Sequence, residues 1–337
     1  MQDFQVINER DLRPDLQLSQ PTIGTHDGRF HCDEVTAIAL LKLLPEYRQA
    51  DVVRSRNSDT HQQMTVLVDV GATYDPDRLR FDHHQRSFVT QFPKYRPVTK
   101  LSSAGLVWLH MGKQILTEHF GVNGKSVDPV WRKAYDDFFE SIDAIDNGVN
   151  VGDPVVYRVR SDLSSRIARL YPQWNDVDQD DVKPFRKALE LCHQEIHEQI
   201  TPIINSWLPA RSIVENSITA DSTIVLPRWV PYEEHLYAIE QETGRVGHYL
   251  FVIYPAYDKG FKVKCVSKEL GSFTNRLSLP AKYCGSRGAD LPAGIEFVRR
   301  LPCTIDTDAN GFIGATSDLE TAFKLTKEAC DSALQAK

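Results

Sequence analysis

The stretch Arg80-Phe81-Asp82-His83-His84-Gln85 places one carboxylate beside two imidazoles, directly after an apolar segment that is typical of a β-strand. Three other clusters of acidic and histidine residues lie in the N-terminal half of the chain: His26 to Asp33, Asp69, and Asp143 to Asp146. Each cluster follows an apolar run or lies at the boundary of a helical pattern. Because the carboxyl ends of the strands in an open α/β sheet share one edge, the four clusters predict a single assembled site.

The run Thr65-Val66-Leu67-Val68-Asp69-Val70-Gly71 is the strongest strand prediction in the chain. Its almost continuous apolar character is typical of a strand that is buried on both faces of a sheet. Asp69 interrupts the run, and a buried carboxylate without a partner costs several kcal/mol. The residues alone leave two partners about equally open: a metal ion that Asp69 bridges, or an ion pair.

The segment from His26 to Glu34 leads directly into a helical pattern. The buried face of that helix is predicted to carry Ala37, Leu40, Leu41 and Leu44. The segment is therefore predicted to be a strand-to-helix turn. N-terminal capping, worth about 1 kcal/mol, explains Asp33 taken alone. It does not explain His26 and His31, which lie in the same turn, and this favours a ligand role.

The order of strand-like and helical segments predicts an α/β fold. In the N-terminal domain we expect a mainly parallel sheet flanked by helices, and in the C-terminal domain a smaller mixed α/β structure across a cleft. The predicted organisation is a flexible N-terminal arm (residues 1–20), a metal-binding catalytic domain (residues 21–206) and a substrate-binding domain (residues 207–337).

A largely helical region between residues 161 and 210 carries His193 and His197 at positions i and i+4. This spacing puts both rings on one helix face, where they could hold a metal ion. No third ligand is evident in the sequence, so a solvated helix surface is the preferred interpretation.

The composition argues against several classes of protein. A formal net charge of −7 argues against a protein that coats nucleic acid by bulk electrostatics, although bound metals would neutralise clustered carboxylates. No apolar run approaches the length of a membrane span, so no membrane partner is expected. The six cysteines form no CxxC pair, and scattered thiols fit a reducing intracellular compartment, either the nucleus or the cytoplasm.

If the four clusters meet, they supply enough ligands for two divalent ions about 4 Å apart. The candidate ligands are His26, His31, Asp33, Asp69, His83 and either Asp143 or Asp146. Mixed imidazole and carboxylate ligands suit Mn²⁺, or Mg²⁺ with some histidine, better than a cysteine-rich structural zinc. Two such ions activate a water for an in-line phosphoryl displacement. His84 would then act as an acid or an electrostatic helper beside the scissile phosphate.

Two further features predict phosphate binding. The helix after Lys100 is predicted to begin at Ser102 or Ser103, and a helix N-terminus beside the metals suits a phosphate. Arg276 and Arg287, in the predicted C-terminal domain, are expected to clamp the substrate phosphate. With the ligand set, these residues predict a metal-dependent phosphoesterase.

The order of an Asp/His cluster, a lone Asp after a buried strand, an Asp-His-His motif and a further Asp resembles the DHH phosphoesterase superfamily. That superfamily includes exonucleases, oligoribonucleases and manganese-dependent inorganic pyrophosphatases. The chain is more similar still to one branch, the melanocyte-proliferating-gene family, whose members are regarded as 3′–5′ RNA exonucleases. The matching segments are residues 24–34, 68–71, 74–76, 81–88, 99–106, 143–148, 206–211, 234–237, 251–254 and 311–314.

This resemblance implies a DHH-type catalytic domain with two metal ions. It assigns one ion to His26, His31 and Asp69, and the other to Asp33, Asp69, His83 and Asp146. It makes His84 catalytic, with Asp82 beside it. It also implies Mn²⁺ or Mg²⁺ as cofactor, RNA or a short oligonucleotide as substrate, and nuclear and mitochondrial locations. The acidic N-terminal segment argues against a mitochondrial transit peptide.

Near the C-terminus the chain departs from the family pattern. Asp308 stands where the family usually has His, and Ala315 follows Gly314 where a second Gly is usual. The resemblance implies that this loop, with Gly311 and Gly314, contacts substrate, so the specificity is expected to differ.

Three functions remain open at this point. The first is a metal-dependent 3′–5′ exonuclease that acts on RNA. The second is a small-molecule phosphohydrolase that acts on pyrophosphate or short oligonucleotides, which the acidic net charge mildly favours. The third is a non-enzymatic interaction protein on the same fold, against which the complete ligand set argues. The oligomeric state is also open, and a homodimer is one alternative.

Overall fold

The structure is a computed structural model that describes residues 4–13, 16, 18, 20–94, 98–152, 154–286, 288–300 and 311–335. The chain divides into two compact units, Met1–Ile204 and Asn205–Lys337, here called the first and the second unit. The sequence placed the boundary between residues 206 and 207. Arg287 and Asp308, for which substrate roles were predicted, lie outside the described residues. Within the described residues, no helix combines the length and the apolar character needed to cross a membrane.

The first unit is built on a mainly parallel sheet. Its strands in the described part of the chain are β1 (Val6–Asn8), β2 (Thr22–Thr25), β3 (Asp51–Arg54), β4 (Val66–Val68), β5 (Tyr74–Asp75) and β6 (Arg80–Phe81). Their order across the sheet is β1-β3-β2-β4-β6-β5. Strands β5 and β6 are antiparallel, and the other neighbouring pairs run parallel. The α/β class predicted from the sequence is confirmed.

The N-terminal segment is not a flexible arm along its whole length, in contrast to the sequence prediction. Strand β1 pairs with β3 at one edge of the sheet, with Val6 opposite Val52. The side chains of Val6 and Ile7 are buried, and the Asn8 amide donates a hydrogen bond to Asp181 at 2.9 Å. Adjacent apolar residues and a buried amide therefore hold this segment against the rest of the first unit.

Seven α-helices lie in the described part of the first unit. They are α1 (Cys32–Leu41), α2 (Ser58–Gln63), α3 (Ser103–Glu118), α4 (Val127–Ala134), α5 (Glu140–Asp146), α6 (Leu163–Ala168) and α7 (Val182–Pro202). A π-helical turn, Tyr135–Phe139, joins α4 to α5. Helix α1 is buried along its whole length and packs against α3 and α7. A helix that is covered on all sides in this way holds its N-terminal residues in a fixed place.

The second unit carries a mixed sheet. Its described strands are β7 (Thr223–Val225), β8 (Phe251–Pro255), β9 (Phe261–Cys265), β10 (Ile295–Arg300) and β11 (Gly311–Thr316), in the order β10-β11-β9-β8-β7. Strands β7 and β8 are parallel, and the other pairs are antiparallel. The helices are α8 (Leu208–Asn216), α9 (Glu233–Glu242) and α10 (Leu319–Gln335).

Both faces of this second sheet are covered. Along β8, Val252 packs in a cluster with Leu236 of α9, whereas Ile253 packs in a cluster with Leu325 of α10. Successive side chains of a strand point to opposite faces, so the two clusters lie on the two sides of the sheet. This is the mixed α/β arrangement that the sequence predicted for the C-terminal part.

Candidate metal centre

Three adjacent strands bring the central residues of the site to one edge of the first sheet. His26 directly follows β2, Asp69 directly follows β4, and His83 follows β6 after one residue. Strand β4 runs parallel to both neighbours, β2 and β6, so the three strands end at the same edge. The three side chains consequently meet there.

Asp69 lies between the two histidines. Its backbone φ of 57° is in the left-handed region, which costs most residues about 1 kcal/mol but which Asp tolerates better than most. Its Oδ2 lies 3.3 Å from His26 Nε2, and its Oδ1 lies 3.3 Å from His83 Nε2. Burial alone would raise the pKa of Asp69, but the two imidazoles outweigh burial and hold that pKa well below its usual value.

His26 directs its Nε2 toward two carboxylates. Its Nδ1 lies 2.9 Å from the backbone carbonyl of Asp27, which can only accept, so Nδ1 carries the proton of a neutral ring. Nε2 then faces Asp69 and Glu34, each with an oxygen 3.3 Å away. Burial lowers the pKa of His26, but these carboxylates raise it to about 10. The same field that attracts a proton here would attract a metal cation.

Glu34 is a member of the site that the sequence analysis did not single out. It is fully buried in the first turn of α1, and its two oxygens accept the His31 backbone N–H at 2.8 and 3.0 Å. One of them also lies 3.3 Å from His26 Nε2. The spacing between His31 and Glu34 is the feature of the sequence that points to this role. His31 is the N-cap of α1, and Glu34 follows at the position that completes a capping box.

Asp33 is a buried carboxylate, only 1% exposed. Neither of its oxygens makes a hydrogen bond to another described residue, and His83 Nε2 lies 3.9 Å from Oδ2. Burial raises the pKa of Asp33 well above its usual value, and the nearby carboxylates of Asp69 and Asp146 raise it further. Several buried carboxylates this close together are stable when cations neutralise their negative charge.

His83 connects Asp69 with the end of α5. Its Nε2 lies 3.1 Å from Asp146 Oδ2 and 3.3 Å from Asp69 Oδ1. Burial lowers the pKa of His83, but the carboxylates of Asp146 and Asp69 outweigh burial and raise it to about 10. Asp146 therefore belongs to the same cluster as the residues at the strand ends.

Three overlapping groups of described side chains could each hold a metal ion, because the ligand atoms within each group lie within 4.8 Å of one another. The groups are His26, His31, Glu34 and Asp69; Asp69, His83 and His84; and Asp33, His83 and Asp146. Asp69 belongs to the first two groups and His83 to the last two. The three groups therefore form one continuous centre, here called the ligand centre.

Asp82 supports His84 and belongs to none of these groups. Its Oδ1 accepts the His84 Nδ1–H at 2.8 Å and the His84 backbone N–H at 3.0 Å. Asp82 is buried, whereas the His84 side chain is 63% exposed. The Asp82 carboxylate is the largest cause that raises the pKa of His84. The sequence paired Asp82 with His84 as catalytic, and the structure makes Asp82 a positioning residue.

Asp143 supports the scaffold and does not face the ligand centre. Its Oδ1 accepts hydrogen bonds from the N–H and Oγ of Ser102 and from the N–H of Gly105, at 2.7 to 3.1 Å. Its Oδ2 accepts the Tyr135 hydroxyl at 2.8 Å. A Cβ at Gly105 would lie 2.2 Å from Oδ2, so a glycine is needed there. Of the two candidates that the sequence left open, the structure brings Asp146 into the ligand groups.

Ser102 and Ser103, at the start of α3, are fully buried. The Ser102 hydroxyl donates to Asp143 at 2.7 Å, and the Ser103 hydroxyl donates to the Phe81 carbonyl at 2.9 Å. Both hydroxyls therefore already have acceptors inside the protein. This corrects the predicted phosphate contact, because these serines fasten α3 to α5 and to β6.

Arg276 takes part in a buried ion pair within the second unit. Its guanidinium donates to both carboxylate oxygens of Glu240 at 2.6 and 2.7 Å, and to the Tyr249 carbonyl at 2.9 Å. Its side chain is 7% exposed, and it lies over the Tyr237 ring. These contacts replace the predicted phosphate clamp with a structural role.

The glycines predicted to contact substrate lie on β11, where packing explains them. A Cβ at Gly311 would lie 2.8 Å from Cys284 Sγ and 2.8 Å from a methyl group of Val298. A Cβ at Gly314 would lie 3.2 Å from two leucine side chains. The adjacent Ala315 is buried. Close packing inside the second unit therefore accounts for the small residues of this strand.

An open cleft of about 1450 Å³ adjoins the ligand centre. It is lined on one side by members of the centre, including Asp33, Asp69, His83, His84 and Asp146. It is lined on another side by exposed residues after α5, including Val151, Val156, Tyr157, Arg158 and Arg160. This segment, residues 151–152 and 154–160, is here called the cleft wall. It has neither helical nor strand periodicity, so no pattern in the sequence points to it.

The fold and the site define a class of protein. It is an α/β protein with a histidine–carboxylate centre, suited to metal ions, at the carboxyl edge of a mainly parallel sheet. Residues 22–330 match the family model MYG1_exonuc, described as "Uncharacterised protein family (UPF0160)". The chain belongs to this MYG1 family, and the family resemblance predicted from the sequence is confirmed.

Relatives from distant organisms match almost the whole chain. The MYG1 exonuclease of Rattus norvegicus is 38% identical over 348 residues, which covers 97% of this chain and 90% of the rat protein. The MYG1 exonuclease of Homo sapiens is 38% identical over 92% of this chain and 86% of the human protein. The MYG1 protein of Dictyostelium discoideum is 37% identical over 90% of this chain and 95% of that protein.

Proposed function

We propose that the protein is a metal-dependent phosphodiesterase of the DHH type, a 3′–5′ exonuclease that acts on RNA. Mammalian relatives carry the name exonuclease, which supports a nuclease. The observation that carries the proposal is the continuous ligand centre around Asp69, placed beside an open cleft. Clustered carboxylates and imidazoles at such a place are the donor set of divalent-metal hydrolases.

The residues of the centre fit a bound cation. Asp33 is buried, and its oxygens have no hydrogen-bond partner among the described residues, an arrangement that costs several kcal/mol unless a cation compensates it. His26 uses its Nδ1 proton on Asp27, so its Nε2 lone pair would repel Asp69 without a proton or a metal ion between them. A divalent ion satisfies both requirements, and metal binding of this kind displaces protons.

We infer two ion positions that share Asp69. His26, His31, Glu34 and Asp69 would hold one ion. Asp33, His83 and Asp146 would hold the other, together with Asp69, whose Oδ1 lies beside His83. Oxygen-rich sets with imidazole suit Mn²⁺, and Mg²⁺ is the second choice. When bound, two such ions supply an activated water and neutralise the charge that develops on the phosphate oxygens.

His84 is the residue of this chain that we assign to proton transfer. Its imidazole is exposed and lines the cleft, and Asp82 holds it through Nδ1. A ring held in this way can give a proton to the leaving oxygen of the phosphodiester. A positioned acid of this kind contributes roughly 10² to 10⁴ in rate.

The cleft favours an oligonucleotide over pyrophosphate as substrate. Its volume of about 1450 Å³ exceeds the roughly 300–1,000 Å³ of typical small-molecule sites. The cleft wall offers Tyr157, which is 75% exposed, for stacking of a base. The exposed Arg158 and Arg160 offer charge-assisted hydrogen bonds to the phosphates.

Hydrolysis of end-labelled RNA tests the proposal. With Mn²⁺, RNA labelled at its 5′ end should shorten one nucleotide at a time, whereas RNA labelled at its 3′ end should release labelled mononucleotide first. Chelation of the metal should stop both reactions. The variant Asp69→Asn should lose activity by at least about 100-fold, and Asp59→Asn, which changes an exposed carboxylate on α2, should keep it.

The same assay separates the alternatives. Pyrophosphate and a dinucleotide serve as competing substrates, and DNA of the same sequence serves for sugar preference. Turnover of pyrophosphate without turnover of RNA would favour the small-molecule phosphohydrolase. Full RNA hydrolysis by Asp69→Asn would contradict the assignment of the centre.

A further inference from the structure

The turn from His26 to His31 carries two imidazoles of the ligand centre and joins β2 to α1. Gly28, near its middle, is exposed and has a φ of 78°, in the left-handed region that favours glycine. A Cβ at Gly28 would meet no atom of a described residue within 4 Å, so this part of the turn faces open space. The turn therefore depends on contacts to its backbone to keep the two rings in place.

Arg54, the last residue of β3, makes such a contact from the neighbouring strand. It lies opposite Thr25, the last residue of β2, and its side chain is fully buried. Its Nη2 donates a hydrogen bond to the Gly28 carbonyl. Its Cζ lies 5.8 Å from the ring centroid of Phe30 and 4.6 Å from that of Phe185. Arg54 therefore contacts the turn near its middle and at the residue that precedes the second imidazole.

The other terminal nitrogen of Arg54 is bonded to two distant parts of the chain. Nη1 donates to Asp181 Oδ2 at 2.7 Å and to Asn8 Oδ1 at 3.2 Å, and the Asn8 amide donates to the other oxygen of Asp181 at 2.9 Å. Asn8 belongs to β1, and Asp181 is the N-cap residue of α7. One nitrogen therefore holds the guanidinium in the fold, and the other holds the turn against the guanidinium.

Stability of the fold alone does not explain a charged side chain at this place. Replacement of a buried ion pair by apolar residues of similar size is often neutral or stabilising, because desolvation offsets the attraction. An apolar residue in place of Arg54 would fill the space but would give the Gly28 carbonyl no donor. The planar fork of an arginine, in contrast, reaches a carboxylate and a carbonyl at once. The bond to the turn is therefore what requires an arginine.

The orientation of the His26 ring depends on the backbone that Arg54 holds. His26 Nδ1 lies 2.9 Å from the Asp27 carbonyl, which is one residue before the Gly28 carbonyl. A rotation of this backbone would carry the His26 ring with it and move Nε2 away from the Asp69 oxygen that now lies 3.3 Å away. Groups that orient a metal ligand in this way affect metal affinity although they do not touch the ion.

We propose that Arg54 is a positioning residue of the ligand centre, which fixes the turn that presents His26 and His31 to a metal ion. The ion concerned is the one that these two residues would hold with Glu34 and Asp69, here called the first ion. The second ion position has all its ligands outside this turn, so its affinity should not depend on Arg54. This role rests on the metal centre of the proposed function and not on the choice of substrate.

Counting of bound Mn²⁺ tests this role without an activity assay. The full chain is titrated with Mn²⁺, and the free ion is measured by electron paramagnetic resonance. The wild-type protein should bind two ions, and Arg54→Met should weaken one of them by roughly 10–100-fold and leave the other unchanged. Arg54→Met added to His31→Ala should cause little further loss, since both act on the first ion. Arg54→Lys, which keeps a charged donor, should recover part of the affinity.

Asp181→Asn separates positioning from stability. It removes the charge partner of Arg54 but leaves the guanidinium bonded to Gly28, so it should lower the melting temperature and keep both Mn²⁺ affinities. Arg54→Met combined with Asp181→Asn removes both charges together, which leaves a folded protein even where Arg54→Met alone does not, and it should still weaken the first ion. Arg276→Met, which breaks a buried ion pair of the second unit, is the matched control and should keep both ions.

The outcomes for Arg54 and for the proposed function are distinct. Equal Mn²⁺ binding with and without Arg54, or an equal loss of both ions, would overturn the positioning role. Binding of two ions, one of which depends on Arg54, by a protein that hydrolyses no RNA would support the positioning role and contradict the proposed function instead.

Discussion

The Oδ1 atom of Asp82 accepts two hydrogen bonds from His84, one from the ring Nδ1 at 2.8 Å and one from the backbone N–H at 3.0 Å. The other oxygen of Asp82 accepts the backbone N–H of Ala72 at 2.6 Å. A buried carboxylate therefore fixes both the tautomer and the orientation of an exposed imidazole. In this pair, His84 is the residue that would transfer a proton, and Asp82 is the residue that orients the His84 ring.

The first prediction concerns this pair. Asp82→Asn should lower kcat for RNA hydrolysis by roughly 100-fold, because an amide holds the His84 ring less firmly and in either tautomer. His84→Ala should cause a loss of similar size. The double variant should lose little more than either single variant, since both act through one imidazole. Steady-state kinetics on a short labelled RNA measures all three.

The control for this prediction is the Mn²⁺ affinity of Asp82→Asn, which should be nearly unchanged, because Asp82 belongs to none of the ligand groups. Asp75→Asn, which removes a carboxylate paired with Arg78 at the surface, should leave kcat intact. Strictly additive losses in the double variant would contradict the positioning role of Asp82.

The second prediction separates two carboxylates of α5. Asp146→Ala should weaken Mn²⁺ binding by roughly 10–100-fold or more, the loss that substitutions around a metal site cause. The melting temperature of the metal-free protein should change little. Asp143→Ala should do the opposite. It leaves the start of α3 and the Tyr135 hydroxyl without their acceptor, at a cost of about 3 kcal/mol. Titration calorimetry and thermal unfolding distinguish the two, and a metal-binding defect confined to Asp143→Ala would reverse the assignment.

These two carboxylates also mark the limit of what the sequence could predict. Asp143 and Asp146 are three residues apart and lie on one side of a helix, so spacing cannot choose between them. The choice depends on what each side chain meets in the folded chain, which is Ser102 and Gly105 for one and His83 for the other. The strand ends, in contrast, could be placed from the sequence, because parallel strands share an edge whatever their side chains are.

The type of a residue does not reveal its role when its partner is distant in the sequence. Arg276 suits a phosphate as well as a carboxylate, and nothing in its neighbourhood in the sequence points to Glu240, 36 residues away. Ser103 suits a substrate as well as a backbone carbonyl, and its acceptor is Phe81. Glu34 could not be assigned to the site for a different reason. Its hydrogen bond to the His31 backbone follows from local spacing, whereas its contact with His26 depends on the fold.

The third prediction concerns the stability of the second unit and its pH dependence. Glu240→Gln should destabilise the second unit by about 3 kcal/mol, because it leaves the Arg276 charge buried without its partner. Burial raises the pKa of Glu240, but Arg276 outweighs burial and lowers it below its usual value. The pair therefore stabilises the fold above about pH 4.3, the pKa of an unfolded glutamate, and this stabilisation is lost as the pH falls through the lower pKa of the folded state.

Hydrogen exchange of the α9 amides measures this effect. The wild-type protein should lose protection between about pH 5 and pH 3, and the profile of Glu240→Gln should be flatter over that range. Glu242→Gln is the matched control, since Glu242 pairs with Arg211 at the surface with 60% of its side chain exposed, where a pair contributes about 0–1 kcal/mol. Equal effects of the two substitutions would show that the buried pair has no special role.

The fourth prediction tests the cleft wall as the RNA-binding surface. Arg158→Ala and Arg160→Ala should each raise KM for RNA several-fold and leave kcat almost unchanged, because these exposed side chains lie in the cleft lining but in none of the ligand groups. Each lost phosphate contact should also reduce the slope of log KM against log salt by about 0.7, the value for a single strand. Lys125→Ala, an exposed cation outside the cleft lining, is the control for a general change of charge. A fall in kcat with KM unchanged would place these arginines in the chemical step, and an unaltered salt slope would exclude the cleft wall as the path of the RNA backbone.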